Sequence, residues 1–293
     1  MSTSSKNKQI AFLGLLVLTI LWGYNWVVMK SVLRYMGAFD FAALRCLLGA
    51  GCLFIVLMVR GIPLKPPPLL PTALIGLLQT GGMIGISQWA LISGGAGKVA
   101  VLVYTMPFWI ILMAVFFLGE SMRKLQYLAV SIALVGIIFV LQPWNFAGAW
   151  WASTLALISS ISWAASAIVA KKLYARYPDV NLLSLTTWQM AIGAVVIAVI
   201  ALFVEQPTPV WNEYVFFALA YNAIPATAFA WVLWLFLLKN LPTSIAGLSM
   251  LAVPVFGIFF AWLSLNEVPS SLDDAGVALI LLALAVVNIP KRD

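Results

Sequence analysis

Apolar residues along this 293-residue chain fall into ten long runs, with the polar residues collected between them. The first five are Ile10 to Met29, Phe41 to Val59, Leu70 to Ile92, Val99 to Leu118 and Leu125 to Leu141. The second five are Trp150 to Ala170, Leu182 to Val204, Tyr214 to Leu238, Ser244 to Leu265 and Leu272 to Ile289. Each approaches the ~20 residues that a helix needs to cross hydrocarbon. None shows the two-residue alternation of a membrane barrel strand, so the predicted element is the helix throughout. Breakers punctuate the intervals: Pro63 with Pro66 to Pro68, Gly94 to Gly97, Pro178, Pro207 with Pro209, Pro242 and Pro269. The first run has full spanning length and no small-residue cleavage signature, so it is expected to be retained in the protein.

Composition turns the helix prediction into a membrane prediction. Hydrophobic residues make up 64% of the chain and charged residues 9%, and mean hydropathy is +1.07. A water-soluble fold of this size cannot hide that much apolar surface. The fold class predicted is therefore an all-α polytopic membrane protein with ten transmembrane helices.

The cations fix its orientation. With the N-terminus cytoplasmic, twelve Lys and Arg residues fall on the cytoplasmic side, against Lys30, Arg34 and Lys98 outside. Ten spans return the C-terminus to the same side. The net charge of +7 is thus accounted for by topology, and nucleic acid is not an expected partner. A basic patch for acidic lipid would concentrate the cations in one loop, whereas they are spread over six places.

The second half repeats the first. Pro107, Glu120 and Pro143 recur 147 positions later as Pro254, Glu267 and Pro290. Trp22 and Asn25 match Trp163 and Ser166 at an offset of 141, while Arg45 and Gly49 match Gln189 and Gly193 at 144. An offset that drifts in loops and holds within helices is the pattern of an aged duplication. The predicted domains are residues 1–143 and 144–293. A five-helix unit has an odd number of spans, so the two copies must sit inverted relative to each other, an arrangement characteristic of transporters.

Catalytic chemistry finds little support. The chain has no histidine, which removes the usual metal ligand and the usual base near neutral pH. Cys46 and Cys52, six apart on one helix, point to roughly opposite faces and cannot bridge locally. Gly94-Gly95-Ala96-Gly97-Lys98 lacks the remaining residues of a phosphate-binding loop and reads as an external turn. No enzyme activity, metal or cofactor is expected.

Trp22-Gly23-x-Asn25, Leu44-Arg45 and the series Pro107, Gly119-Glu120, Gly136 resemble the EamA-type repeat of the drug/metabolite transporter superfamily. Over its whole length the chain is similar to YddG-type bacterial amino acid exporters. That resemblance implies a ten-helix carrier of the bacterial inner membrane, with helices one to four and six to nine around a central cavity and helices five and ten at the periphery. The second half departs from the pattern where Ser166 replaces Asn, Gln189 replaces Arg and Asn266 replaces Gly.

Facing arguments nominate the cavity residues. Thr19, Trp22, Asn25, Trp26 and Met29 form one stripe on the first helix, and Ser159, Ser162, Trp163 and Ser166 form one on the sixth. An amide such as Asn25 is costly toward lipid and should face protein or water. The tryptophans fit either a cavity wall or an interfacial belt, and the serines fit helix packing. Gln79 and Gln88 lie nine apart, about half a turn out of phase on a regular helix, so one cavity cannot take both unless Gly81, Gly82 and Gly85 bend the chain. Asn222 on the eighth helix outranks the later Trp231 and Trp234. Pro107 and Pro254 each free a carbonyl within a spanning helix and suit a hinge, with Tyr104 one turn before the first. Arg45 reads as snorkelling to the headgroups or pairing with Asp40, and Glu120 and Glu267 as caps at the water boundary.

The predicted substrate-binding set is therefore Trp22, Asn25, Gln79, Tyr104, Trp163 and Asn222, with Pro107 and Pro254 as hinges. The expected function is export of amino acids, aromatic and other neutral ones, and related metabolites by alternating access. No carboxylate is placed in mid-helix for proton coupling, which favours a uniporter. The alternatives are a drug or nucleotide-sugar carrier, or a membrane protein that does not transport, either an embedded transferase or a scaffold.

Overall fold

A computed structural model describes residues 3–119, 121–122, 124–142, 150–230, 233 and 252–287. Glu120, Pro143, Pro290, Trp231 and Trp234, singled out above, lie outside the described residues. Among the described residues the regular structure is helical. The helices are α1 (Thr3–Ser31), α2 (Ala38–Val59), α3 (Leu69–Ala90), α4 (Ala96–Leu118), α5 (Lys124–Leu141), α6 (Trp150–Arg176) and α7 (Leu182–Phe203). They continue with α8 (Glu213–Ala223, extended by Ile224–Phe229), α9 (Ala252–Leu265) and α10 (Ser271–Val287). Seven helices among the described residues, α1 to α7, are long and apolar enough to cross a membrane, and Val253–Leu265 is a shorter apolar helix.

Hydropathy underestimated two of the helices because it stops where the charges begin. α1 starts at Thr3 and α6 runs on to Arg176, carrying Lys171 and Lys172 beyond the apolar run. A polar extension keeps its backbone hydrogen bonds in water as readily as in lipid. Local chemistry fixes other ends. The Asn181 and Asn212 side chains accept from the amides of Ser184 and Val215 and so start α7 and α8. Gly119, at φ +67, closes α4 in the left-handed conformation that glycine adopts without penalty.

Most of the extensive packing crosses between the two halves of the sequence: α5 lies against α10, α2 against α7, α1 against α9, and α3 and α4 against α6. Small residues make these crossings close. A Cβ on Gly136 would stand 2.8 Å from the Gly276 carbonyl oxygen, and one on Gly276 would stand 2.7 Å from that of Gly136. The α5–α10 pair is therefore a backbone-to-backbone contact of the small-residue type common in membranes.

Three departures from ideal helix matter for the site. In α3 residues Gly76–Gly85 are π-helical, and in α8 residues Ile224–Phe229 are too. α4 is interrupted at Tyr104 and Thr105, between Ala96–Val103 and Met106–Leu118. Pro107 accordingly sits in the first turn of the second piece, not within an unbroken helix, where its missing N–H leaves no gap in the ladder. Pro254 is buried in the first described turn of α9.

Candidate functional site

Both π-helical stretches are held by side chains from a helix of the other half. Ser162 Oγ donates to the Leu78 carbonyl at 2.7 Å and Ser159 Oγ to that of Met83 at 2.9 Å, so α6 satisfies carbonyls of the α3 segment. Gly82 makes room for this, since a Cβ there would overlap Ser162 Oγ. In the same way Trp22 Nε1 of α1 donates to the Ala226 carbonyl of the α8 segment at 2.9 Å, and Tyr221 of α8 donates its hydroxyl to the Leu21 carbonyl at 2.7 Å. Wide turns leave carbonyls out of register, and in hydrocarbon these need a donor. Trp22→Phe keeps the ring and removes the N–H. It is expected to lower stability by about 0.6–1.7 kcal/mol, the range for hydrogen bonds between membrane helices, read as a lower Tm in detergent.

These elements surround a cavity of about 120 Å³. Its wall takes Trp22, Asn25, Trp26 and Met29 from α1, Arg45 from α2, and Gln79, Thr80, Met83 and Ser87 from α3. Tyr104 of α4, Trp163 of α6, Gln189 and Met190 of α7, and Ala226 and Thr227 of α8 complete it, and among the described residues none comes from α5, α9 or α10. Five of the six residues nominated from the sequence, Trp22, Asn25, Gln79, Tyr104 and Trp163, are thus brought together. The break in α4 places the Tyr104 ring edge-on to Trp163, with centroids 5.8 Å apart. Thr105 stabilises that break by donating to the Leu102 carbonyl at 2.6 Å while accepting from Trp109 Nε1 at 3.1 Å. Gln88, the second glutamine of α3, is buried away from the cavity and donates to the Met29 carbonyl.

Asn222, the sixth nominee, stands behind the wall. It is fully buried, donates to the Ala218 carbonyl and accepts from Arg45 Nη1 at 2.6 Å. Arg45 corrects the sequence reading most. It neither reaches the headgroups nor pairs with Asp40, but lies buried at 6% exposure on the cavity wall. The cause is the true start of α2 at Ala38: seven residues at 1.5 Å rise carry position 45 about 10 Å along the helix, on the face turned to α8. The residue 144 positions later, Gln189, accepts from Thr80 Oγ1 at 2.8 Å on the same cavity. One polar pair therefore links α2 to α8 and a matching pair links α7 to α3, the first with a charge and the second without.

At the Lys30 end of the bundle, polar groups tie the helix ends. Lys30 Nζ donates to the Leu91 carbonyl at 2.5 Å, capping the C-terminus of α3. Glu267 Oε2 accepts from the Gly97 amide at 3.3 Å, so it caps the start of α4 rather than its own helix. Lys98 pairs with Asp273 at 2.9 Å, and Asp273 closes a capping box with Ser270 at the start of α10. A wider opening of about 410 Å³, bordered by Lys30, Arg34 and Glu267, lies at this end. It gathers none of the residues nominated for binding, which is why the smaller central cavity is the candidate site.

Comparison with known proteins bears on what such a cavity does. A family model described as the EamA-like transporter family matches the chain twice, over residues 9–142 and 150–289. The chain is 28% identical to the uncharacterized transporter YoaV of Bacillus subtilis, over 87% of this chain and 88% of that one. It is 27% identical to the uncharacterized inner membrane transporter YedA of Escherichia coli K12, over 96% and 91% of the two chains. A probable amino-acid metabolite efflux pump of Salmonella typhimurium is 26% identical, over 96% and 95%. A crystal structure of a protein 21% identical shares the fold at a TM-score of 0.62, over 95% of this chain and 96% of that one.

Proposed function

Because this chain belongs to the EamA-like transporter family, a family of multi-pass membrane transporters of small molecules, we propose that it exports neutral amino acids and related small metabolites by alternating access around the central cavity. The carrying observation is convergence: Trp22, Asn25, Gln79, Tyr104 and Trp163, from four helices and both halves of the chain, line one cavity. Such a wall offers aromatic faces plus amide and hydroxyl groups, which suits an amphipathic solute and demands no single side chain. The name of the Salmonella relative supports the amino acid reading, and that of YedA a bacterial inner membrane.

The two family matches support the reading of two five-helix repeats, ten spans in all, and the inversion follows from the odd number. In this scheme the α4 break at Tyr104 and Thr105, followed by Pro107, and the region of Pro254 act as paired hinges. Among the described residues the cavity wall contains no Asp or Glu, which supports uniport over proton coupling. A nucleotide-sugar carrier fits less well. Among the described residues Arg45 is the one cation on the cavity wall, and a bulky anionic nucleotide sugar would want more.

Purified protein in liposomes preloaded with radiolabelled Phe, Met or Thr tests this. Efflux of at least one, unchanged by a pH gradient, is expected. Trp163→Ala and Asn25→Ala should each alter apparent affinity or rate by about tenfold, or ~1.4 kcal/mol. Absence of flux for every amino acid, with flux of a nucleotide sugar or a cationic drug, would overturn the proposal.

A further inference from the structure

Arg45 presents a buried guanidinium on the cavity wall with no counter-ion among the described residues. Its Nη1 donates to a neutral amide, Asn222 Oδ1. Its Nε has no hydrogen-bond partner, and among the described residues no carboxylate pairs with it. A guanidinium stays protonated in proteins, and an uncompensated buried charge costs several kcal/mol. The one hydrogen bond to Asn222 that the fold gains in return does not require a charge.

The repeat supplies an internal control. At the corresponding place in the second half, Gln189 lines the same cavity and bonds Thr80 across to the π-helical helix. A neutral side chain thus suffices to bridge the cavity wall to its neighbour, and the charge at position 45 is surplus to that role. A second unpartnered group sits on the same wall. Asn25 Oδ1 is buried with no donor, while its Nδ2 rests on Met29 Sδ at 3.1 Å. A strong donor and a free acceptor, with the Tyr104 and Trp163 rings beside them, complement a molecule bearing an anion, a proton-donating group and an apolar body.

We propose that Arg45, positioned by Asn222, is the anchor for the substrate carboxylate, making the carried solutes carboxylates and above all zwitterionic α-amino acids. This rests on the carrier reading above and narrows it. Arg matches a carboxylate with a planar fork of donors, and Asn222 holds that fork from behind without neutralising it. The arriving carboxylate takes the place of the missing counter-ion, and the asymmetry between Arg45 and Gln189 gives every solute one orientation in an otherwise paired wall.

The test compares L-phenylalanine with L-phenylalaninamide, which lacks the carboxylate but keeps ring and amine. Binding is followed by tryptophan fluorescence of the purified protein, and transport by efflux from liposomes. The wild type is expected to favour the acid over the amide by about tenfold or more. Arg45→Gln, which copies the arrangement at Gln189, should bring that ratio close to one while the amide still binds. Asn222→Asp should do the same by giving Arg45 an internal counter-ion, with unchanged elution as a monodisperse protein. Equal handling of acid and amide by the wild type overturns the anchor and leaves the carrier reading standing, as does an unaltered ratio in well-folded Arg45→Gln. If neither compound binds or moves, and no other amino acid does, the carrier reading fails and the anchor with it.

Discussion

Replacing Gly193 by leucine is expected to destabilise the fold markedly. Gly193 of α7 faces the start of the π-helical part of α3, where an added Cβ would strike the Gly76 carbonyl oxygen and Thr80 Cβ. In return, a Cβ on Gly76 would lie 2.5 Å from the Gln189 carbonyl oxygen. Both obstacles are backbone or close to it, so neither can swing aside. Overpacking costs typically ~1–3 kcal/mol, and a clash with main chain belongs at the upper end. For a chain of this length ~3 kcal/mol corresponds to a fall in Tm of roughly 6–12 °C, measured by loss of the monodisperse peak after heating in detergent. Two controls sharpen the result. Gly49, the counterpart 144 residues earlier, meets only the side chains of Thr227 and Met190, so Gly49→Leu should cost less. Gly51 meets nothing within 4 Å, and Gly51→Leu should be neutral or mildly stabilising, since leucine favours helix over glycine. Equal Tm values for Gly193→Leu and Gly51→Leu would remove the close α3–α7 crossing.

The second large effect is on transport. Met83→Trp places a rigid indole in a cavity of about 120 Å³ whose wall includes Met83, and flux is expected to fall by about 100-fold, equivalent to ~2.7 kcal/mol on the transport barrier. Folding should survive, because the Met83 carbonyl that binds Ser159 is main chain, and the side chain it replaces is a flexible filler. Met83→Leu, nearly volume-conserving, should transport close to the wild-type rate. Met83→Trp flux within twofold of wild type, with Met83→Leu equal to it, would mean that the solute does not pass this cavity.

The spans α1 to α7 were legible because hydrocarbon thickness sets their length and apolar composition. The wall residues Trp22, Asn25 and Trp163 were legible too, since Trp22 and Asn25 share one helical face and Trp163 repeats Trp22 141 positions later. Arg45 was misread because its setting is made by Asn222, 177 residues away, and because a start of α2 predicted three residues late put it in the first turn at the boundary. Gln79 and Gln88 could be separated only in part. A 3.6-residue template cannot register π turns, and the cue of Gly81, Gly82 and Gly85 pointed to a bend where the chain instead widens its helix. Pro107 looked like a gap in a helix ladder. The ladder is in fact already broken two residues earlier, where Thr105 supplies its own bonds.

The wide turns of α3 and α8 have one more consequence. A π turn hydrogen-bonds i to i+5 and so stores a residue beyond the ordinary α-helical ladder. Reverting one such turn to α register would rotate every side chain on one side of it by about 100° about the axis with the chain still helical throughout. Gln79 lies inside the stretch Gly76–Gly85, while Ser162 and Ser159 grip the displaced carbonyls of Leu78 and Met83. Any such change of register must first break the Ser162 and Ser159 bonds.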